Sequence, residues 1–122
     1  QAFVDRKRYV RKYYEEALAD WAKDKNATFF PTTDGSSCWF SGITLPIGTA
    51  LDEAKKLCAD LKAAGVEARS FWKPVHLQMP YEDCPRSEVK VAEGLWQRIV
   101  TLPCSTNITD EELVAVRDSL KK

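Results

Sequence analysis

The sequence lacks a net charge: 18 Lys and Arg are matched by 18 Asp and Glu. No summed field draws the chain to nucleic acid or to an anionic lipid surface. It has no apolar run of membrane-spanning length, and no signal peptide opens it. Neither nucleic acid nor a membrane is an expected partner. Histidine occurs once, at position 76, so H-E-x-x-H and related paired-histidine metal motifs are excluded. The four cysteines, Cys38, Cys58, Cys84 and Cys104, never form C-x-x-C, which argues against a structural zinc site. They are expected to be free thiols. Phosphate-cradling G-x-G-x-x-G and Walker loops are missing, as is the G-x-S-x-G elbow. Ser87-Glu88-Val89-Lys90 fits S-x-x-K, but the S-D-N and K-T-G partners of that motif are absent. The stretch reads instead as a capped helix start with an exposed lysine. A thiol–imidazole pair between His76 and Cys84 is conceivable, but nothing else in the sequence supports it. Without a full catalytic set, the chain reads as a binding module or as a piece of a larger enzyme. It opens Gln1-Ala2-Phe3 without a methionine, which suggests a processed chain or part of something longer.

What is present points to an α+β domain. Residues 2 to 24 form an expected helix, with Val10, Tyr14, Ala17 and Trp21 along one face. Arg6, Arg8, Arg11, Lys12, Glu15 and Glu16 fall opposite and read as a solvated charged face. Residues 26 to 37 are loop, and "CWFSGITL" from Cys38 to Leu45 is a strand. Gly42 inside that strand marks a bulge or a close backbone approach. Thr49 and Asp52 suggest the start of a helix with Leu51, Ala54, Cys58 and Leu61 inward, stopped by Gly65. "VEARSF" follows as a short strand. Ser87 is a candidate cap for a helix to about Val100, with Val91, Ala92, Leu95, Trp96 and Ile99 as its apolar face. Thr109-Asp110-Glu111-Glu112 is a capping box for a last helix that turns Leu113, Val116 and Leu120 inward. Two N-x-T triplets occur, and the second, Asn107-Ile108-Thr109, is better explained as that helix start. The expectation is about four helices packed on a small antiparallel or mixed sheet of about three strands. Residues 1–122 make a single domain.

Between the second strand and the third helix lies "FWKPVHLQMPYEDCP", residues 71 to 85. It carries three prolines, four aromatic or imidazole rings and the lone histidine. It is longer than most connections in a compact domain and too aromatic to be disordered. An ordered, proline-braced aromatic loop is a candidate ligand surface.

The ordered series Gly65-Val66-Glu67-Ala68-Arg69, Lys73-Pro74-Val75-His76-Leu77-Gln78, Tyr81, Val91-Ala92-Glu93-Gly94-Leu95, Thr101-Leu102-Pro103 and Ile108-Thr109-Asp110-Glu111-Glu112 resembles the carboxyl-terminal part of DegT/DnrJ/StrS-type sugar aminotransferases. "FVDRKRYVRKYYEEAL" is similar to that family's long connecting helix. The resemblance implies a pyridoxal-phosphate enzyme that aminates a keto sugar carried on a nucleotide, with a second substrate as amino donor. Bacterial surface-polysaccharide precursors are the sugars it suggests. It implies that the cofactor lysine and the aspartate under the pyridine nitrogen belong to a large domain outside these residues. Residues 1–24 would link to that domain, and the 122 residues alone would hold no cofactor and not transaminate. It implies a cytoplasmic homodimer as the parent. The loop at 71 to 85 would then lie at the cleft mouth, with His76, Gln78, Tyr81 and Trp72 as substrate-binding candidates. Phe71 and Trp72 also read as core, and Arg69 as a salt-bridged structural residue. The competing reading is a stand-alone, non-catalytic binding or regulatory module of the same fold.

Overall fold

The computed structural model describes residues 1–122. The chain enters through α1 (Ala2–Ala17) and α2 (Ala19–Asp24), one expected helix broken at Leu18, whose backbone leaves helical geometry at φ −110, ψ 8. Leu18, not Ala17, is the buried residue at this step. The two-residue strand β1 (Thr28–Phe29) falls where a loop was expected. Next come β2 (Ser41–Thr44), α3 (Leu51–Ala63), β3 (Arg69–Ser70), α4 (Lys90–Leu95), β4 (Ile99–Leu102) and α5 (Asp110–Leu120). The architecture is α+β, with five helices and one four-stranded sheet in the order β1-β2-β4-β3. All three pairings are antiparallel.

The centre of the sheet is the β2–β4 pair, running from Ser41 opposite Leu102 to Thr44 opposite Ile99. Ile43, Val100 and Leu102 face a core built from Val10, Tyr14 and Leu18 of the entry helices, Ala54 and Leu61 of α3, and Leu113, Val116 and Leu120 of α5. Gly42 is required by a close approach: a Cβ there would lie 2.6 Å from the Val100 carbonyl oxygen. That acceptor is backbone in the central strand and has little freedom to retreat.

Helix ends follow local chemistry, with two corrections. In α5 the capping box is complete: the Thr109 hydroxyl accepts from the Glu112 N–H, and Glu112 Oε2 accepts from the Thr109 N–H at 2.8 Å. In α3 the N-cap is Ala50, not Thr49, and Glu53 rather than Asp52 reaches back, to the Ala50 N–H at 3.4 Å. Thr49 is held instead in a turn by Pro46. At the other end Gly65 adopts φ +83, and the Gly65 and Val66 N–H groups close on the Lys62 and Leu61 carbonyls, a Schellman stop.

The helix expected from Ser87 to Val100 is much shorter. It begins at Lys90, has no side-chain cap, and ends at Leu95 in a 3₁₀ turn, Trp96–Arg98. Ile99 and Val100, taken as its apolar face, are instead buried positions of β4. Two buried β-branched residues in a row suit the central strand, where the sheet's register overrides the helical period.

The basic stripe of α1 is not simply a solvated face. Arg6 bonds to the Ile108 carbonyl and to Asp110. Lys7 Nζ donates to the carbonyls of Trp39, at 2.9 Å, and Cys104, at 2.6 Å. Arg8 donates to the Ser36 carbonyl. Arg11 is 5 % exposed, pairs with Glu15 Oε1, and lies over the Phe29 ring, because β1 covers that side of the helix. These cations pin two distant loops to one helix. Tyr14 adds a hydroxyl donated to the Pro103 carbonyl at 2.6 Å.

Two outcomes follow. Gly42→Ala should lose about 1–3 kcal/mol in urea unfolding, because added volume meets fixed backbone; unchanged stability would mean that β2 and β4 are not in close contact. Burial, reinforced by the neighbouring Cys104 and Tyr13, pushes the Tyr14 phenol well above its ordinary value. Its contribution to stability is fully present below pH about 10 and is lost as pH rises through the higher folded value. The difference in phenolate absorbance between wild type and Tyr14→Phe should therefore show no Tyr14 ionisation before alkaline unfolding.

Candidate functional site

The segment 71 to 98 is an excursion between neighbouring antiparallel strands: it leaves β3 after Ser70 and returns into β4 at Ile99. The Phe71 N–H donates to the Ile99 carbonyl at 3.1 Å and closes its base. Pro74 precedes a 3₁₀ turn at Val75–Leu77, and Pro80 lies inside a second at Met79–Tyr81. Proline fixes φ and suits such tight turns. The Gln78 side chain donates to the Lys73 carbonyl at 2.9 Å and braces the first turn.

The structure separates the four sequence candidates. His76 Nε2 lies 2.7 Å from Glu93 Oε1 of α4, and its side chain is only 13 % exposed. Gln78 spends its amide on the loop itself. Tyr81 is exposed and lies on the second turn. Trp72 is 64 % exposed, which corrects its reading as core; Phe71 is half-buried. Trp72 belongs to an aromatic group, with its ring edge-on to Phe40 at 5.0 Å and tilted against Phe71 at 5.4 Å. Phe30 contacts Phe71, and Trp39 stacks on Phe40. Phe29 packs against the core, so Phe30, one residue on, turns to the opposite face of the sheet. There the rings of Phe40, Phe71 and Trp72 wall a small pocket of about 150 Å³ bordered by Arg69 and Thr101. Arg69 is ion-paired to Glu67 at 2.6 Å and exposed, as its structural reading expected.

Three participants escaped the sequence reading. Glu93 carried no signal as a partner, because pairing positions 76 and 93 requires the path of the excursion. Trp39 and Phe40 were read only as strand residues, yet they fall before β2 and supply two of the five rings of the aromatic group.

The chain's own residues do not fit pyridoxal phosphate. That group needs a lysine amine to form its imine and an acidic or arginine partner for the ring nitrogen. Every lysine except Lys7 is on the surface, and Lys7 Nζ is taken up by two carbonyls. No group of three or more His, Cys, Asp or Glu is placed to hold a metal, and no helix is long and apolar enough to cross a membrane.

Comparison with solved structures defines the fold class. The putative sugar aminotransferase Spr1654 of Streptococcus pneumoniae superposes with a TM-score of 0.81, 20% identity, and coverage of 98% of this chain and 30% of that one. The same protein in its PLP-form gives the same TM-score. Helicobacter pylori PseC, an aminotransferase involved in the biosynthesis of pseudoaminic acid, superposes with a TM-score of 0.77 at 20% identity, covering 97% of this chain and 32% of that one. In sequence, GDP-perosamine synthase of Caulobacter vibrioides is 24% identical over 102 residues, which is 83% of this chain and 27% of the relative. The fold is thus that of the sugar aminotransferases, over roughly a third of their length. The chain belongs to the DegT/DnrJ/EryC1/StrS aminotransferase family, which it matches over residues 1–121.

The four cysteines are free, and their settings differ. Cys84 is exposed and Cys38 is buried. Burial pushes the Cys58 thiol up, partly offset by the Ser70 hydroxyl. Because the thiolate is the reactive form, Cys84 should react first with a disulfide reagent in the native protein, with Cys38 and Cys58 lagging. In denaturant four thiols should be counted. A count of two or none would show a disulfide.

Proposed function

We propose that these residues are the carboxyl-terminal small domain of a pyridoxal-phosphate-dependent enzyme that aminates a keto sugar carried on a nucleotide. Family membership over residues 1–121 carries this reading. The length ratio to the relatives, 27% to 32%, supports a larger parent. In this reading the cofactor lysine, the ring-nitrogen partner and the phosphate seat lie in a large domain, and residues 1–24 link the two. When bound, the cofactor supplies the imine chemistry of amino transfer.

The small domain's part is to close the substrate cleft with the 71–98 excursion. His76, Gln78, Tyr81 and Trp72 are proposed to lie on the substrate side. Their polar atoms and aromatic faces suit a hydroxylated ring, and a loop braced in advance lowers the ordering cost of closure. The parent is proposed to be a cytoplasmic homodimer serving bacterial polysaccharide or related sugar biosynthesis. GDP-perosamine synthase and PseC lend the substrate class its support.

Two measurements test this. A longer protein containing residues 1–122 should convert a nucleotide-linked keto sugar and glutamate into the amino sugar and 2-oxoglutarate. The 122-residue chain mixed with pyridoxal phosphate and reduced with borohydride should show no adduct concentrated at one lysine. A single labelled lysine, with visible absorbance, would mean that the chain binds the cofactor itself. A longer protein inactive toward all such sugars would favour a non-catalytic module.

A further inference from the structure

We infer that Glu93 is a positioning residue for His76: it fixes the imidazole's proton on Nε2 and leaves Nδ1 as an outward acceptor. The inference rests on the proposed substrate-side place of His76 only for its role in catalysis. The geometry behind it stands apart.

The Nε2 to Oε1 distance of 2.7 Å is that of a charge-assisted hydrogen bond. An ionised carboxylate only accepts, so Nε2 must carry the hydrogen. When the ring holds one proton, Nδ1 is then bare. Nδ1 has no protein partner, yet it is not among the buried polar atoms left without one. It therefore keeps some contact with solvent, while the side chain as a whole is largely covered.

Both ends of the contact are held. Pro74 and the Gln78 to Lys73 bond fix the turn that carries His76. Glu93 stands within α4, its N–H bonded to the Val89 carbonyl and its carbonyl accepting from the Gln97 side chain at 3.1 Å. The lever is specific to a carboxylate or amide oxygen at this position. A neutral imidazole presented this way accepts a hydrogen bond from a ligand hydroxyl or ammonium group and donates none through Nδ1. The chemical class matched at this point is a hydrogen-bond donor, such as a sugar hydroxyl.

His76 is the only histidine, so imidazole nitrogen NMR of the ¹⁵N-labelled chain reports one ring. At a pH where titration shows a single ring proton, wild type should give the pattern of Nε2–H alone, with that proton slowed in exchange. Glu93→Gln keeps an accepting oxygen and should keep the pattern. Glu93→Ala should restore a measurable Nδ1–H population and lose the slow proton. Ala is a good helix former and Glu93 is 40 % exposed, so circular dichroism should be unchanged. A role limited to holding the loop predicts that Ala lowers the melting temperature with the tautomer pattern intact, and that result overturns the inference. So does a wild-type ring protonated on Nδ1, which needs no variant. Either failure leaves the aminotransferase reading standing, because that reading is tested by turnover of the longer protein.

Discussion

The hydrogen bond from the Phe71 N–H to the Ile99 carbonyl closes the base of the 71–98 excursion, and the placement of the site depends on it. Because β3 and β4 are adjacent and antiparallel, both ends of a long segment are tied at one edge of the sheet. Closing a long loop costs only slowly more as it lengthens; positioning its interior is the harder task. Here that task falls to two 3₁₀ turns, three prolines and the His76–Glu93 contact. The result is an ordered lobe that presents Trp72 and Tyr81 to solvent while holding His76 largely covered.

The sheet itself is held from the other side by α1. One helix face fills the core with Val10 and Tyr14; its cationic side chains reach the carbonyls of residues 36, 39, 104 and 108. Each of these carbonyls lies in irregular backbone whose acceptors need a partner. Phe3, near the helix start, is 73 % exposed, whereas Val10 is fully buried. Exposed apolar surface lies at the first turn of α1 and at Trp39 and Trp72, and also at Ile47, Met79 and Val91.

Signals that act within a few residues were legible in the sequence. The Thr109 capping box, the Gly65 stop and the Gly42 close approach each rest on a local steric or hydrogen-bonding rule, and each is present. The ordered motif series also carried the family, since it spans nearly the whole chain. Two local caps, at Thr49 and Ser87, fall elsewhere or are absent; the larger failures share one cause, tertiary context. Ile99 and Val100 satisfy a helical period, but the sheet claims them. Arg11 looks like a surface charge until β1 lies over it. Trp72 looks like core until the sheet edge turns it outward. Glu93 has no meaning as a site residue until the excursion folds back on itself.

The central claim is that the excursion faces substrate, and one substitution tests it most directly. His76→Ala in the proposed full-length enzyme removes an imidazole whose Glu93 partner is 40 % exposed, which should cost no more than about 1.5 kcal/mol of stability. If His76 meets the substrate, loss of a positioned hydrogen bond should lower kcat/KM by roughly 5- to 150-fold. Measured together, a small change in melting temperature with a large fall in kcat/KM is the predicted result. A large drop in stability with unchanged kcat/KM in the remaining folded enzyme would contradict the account and make His76 a brace for the loop alone.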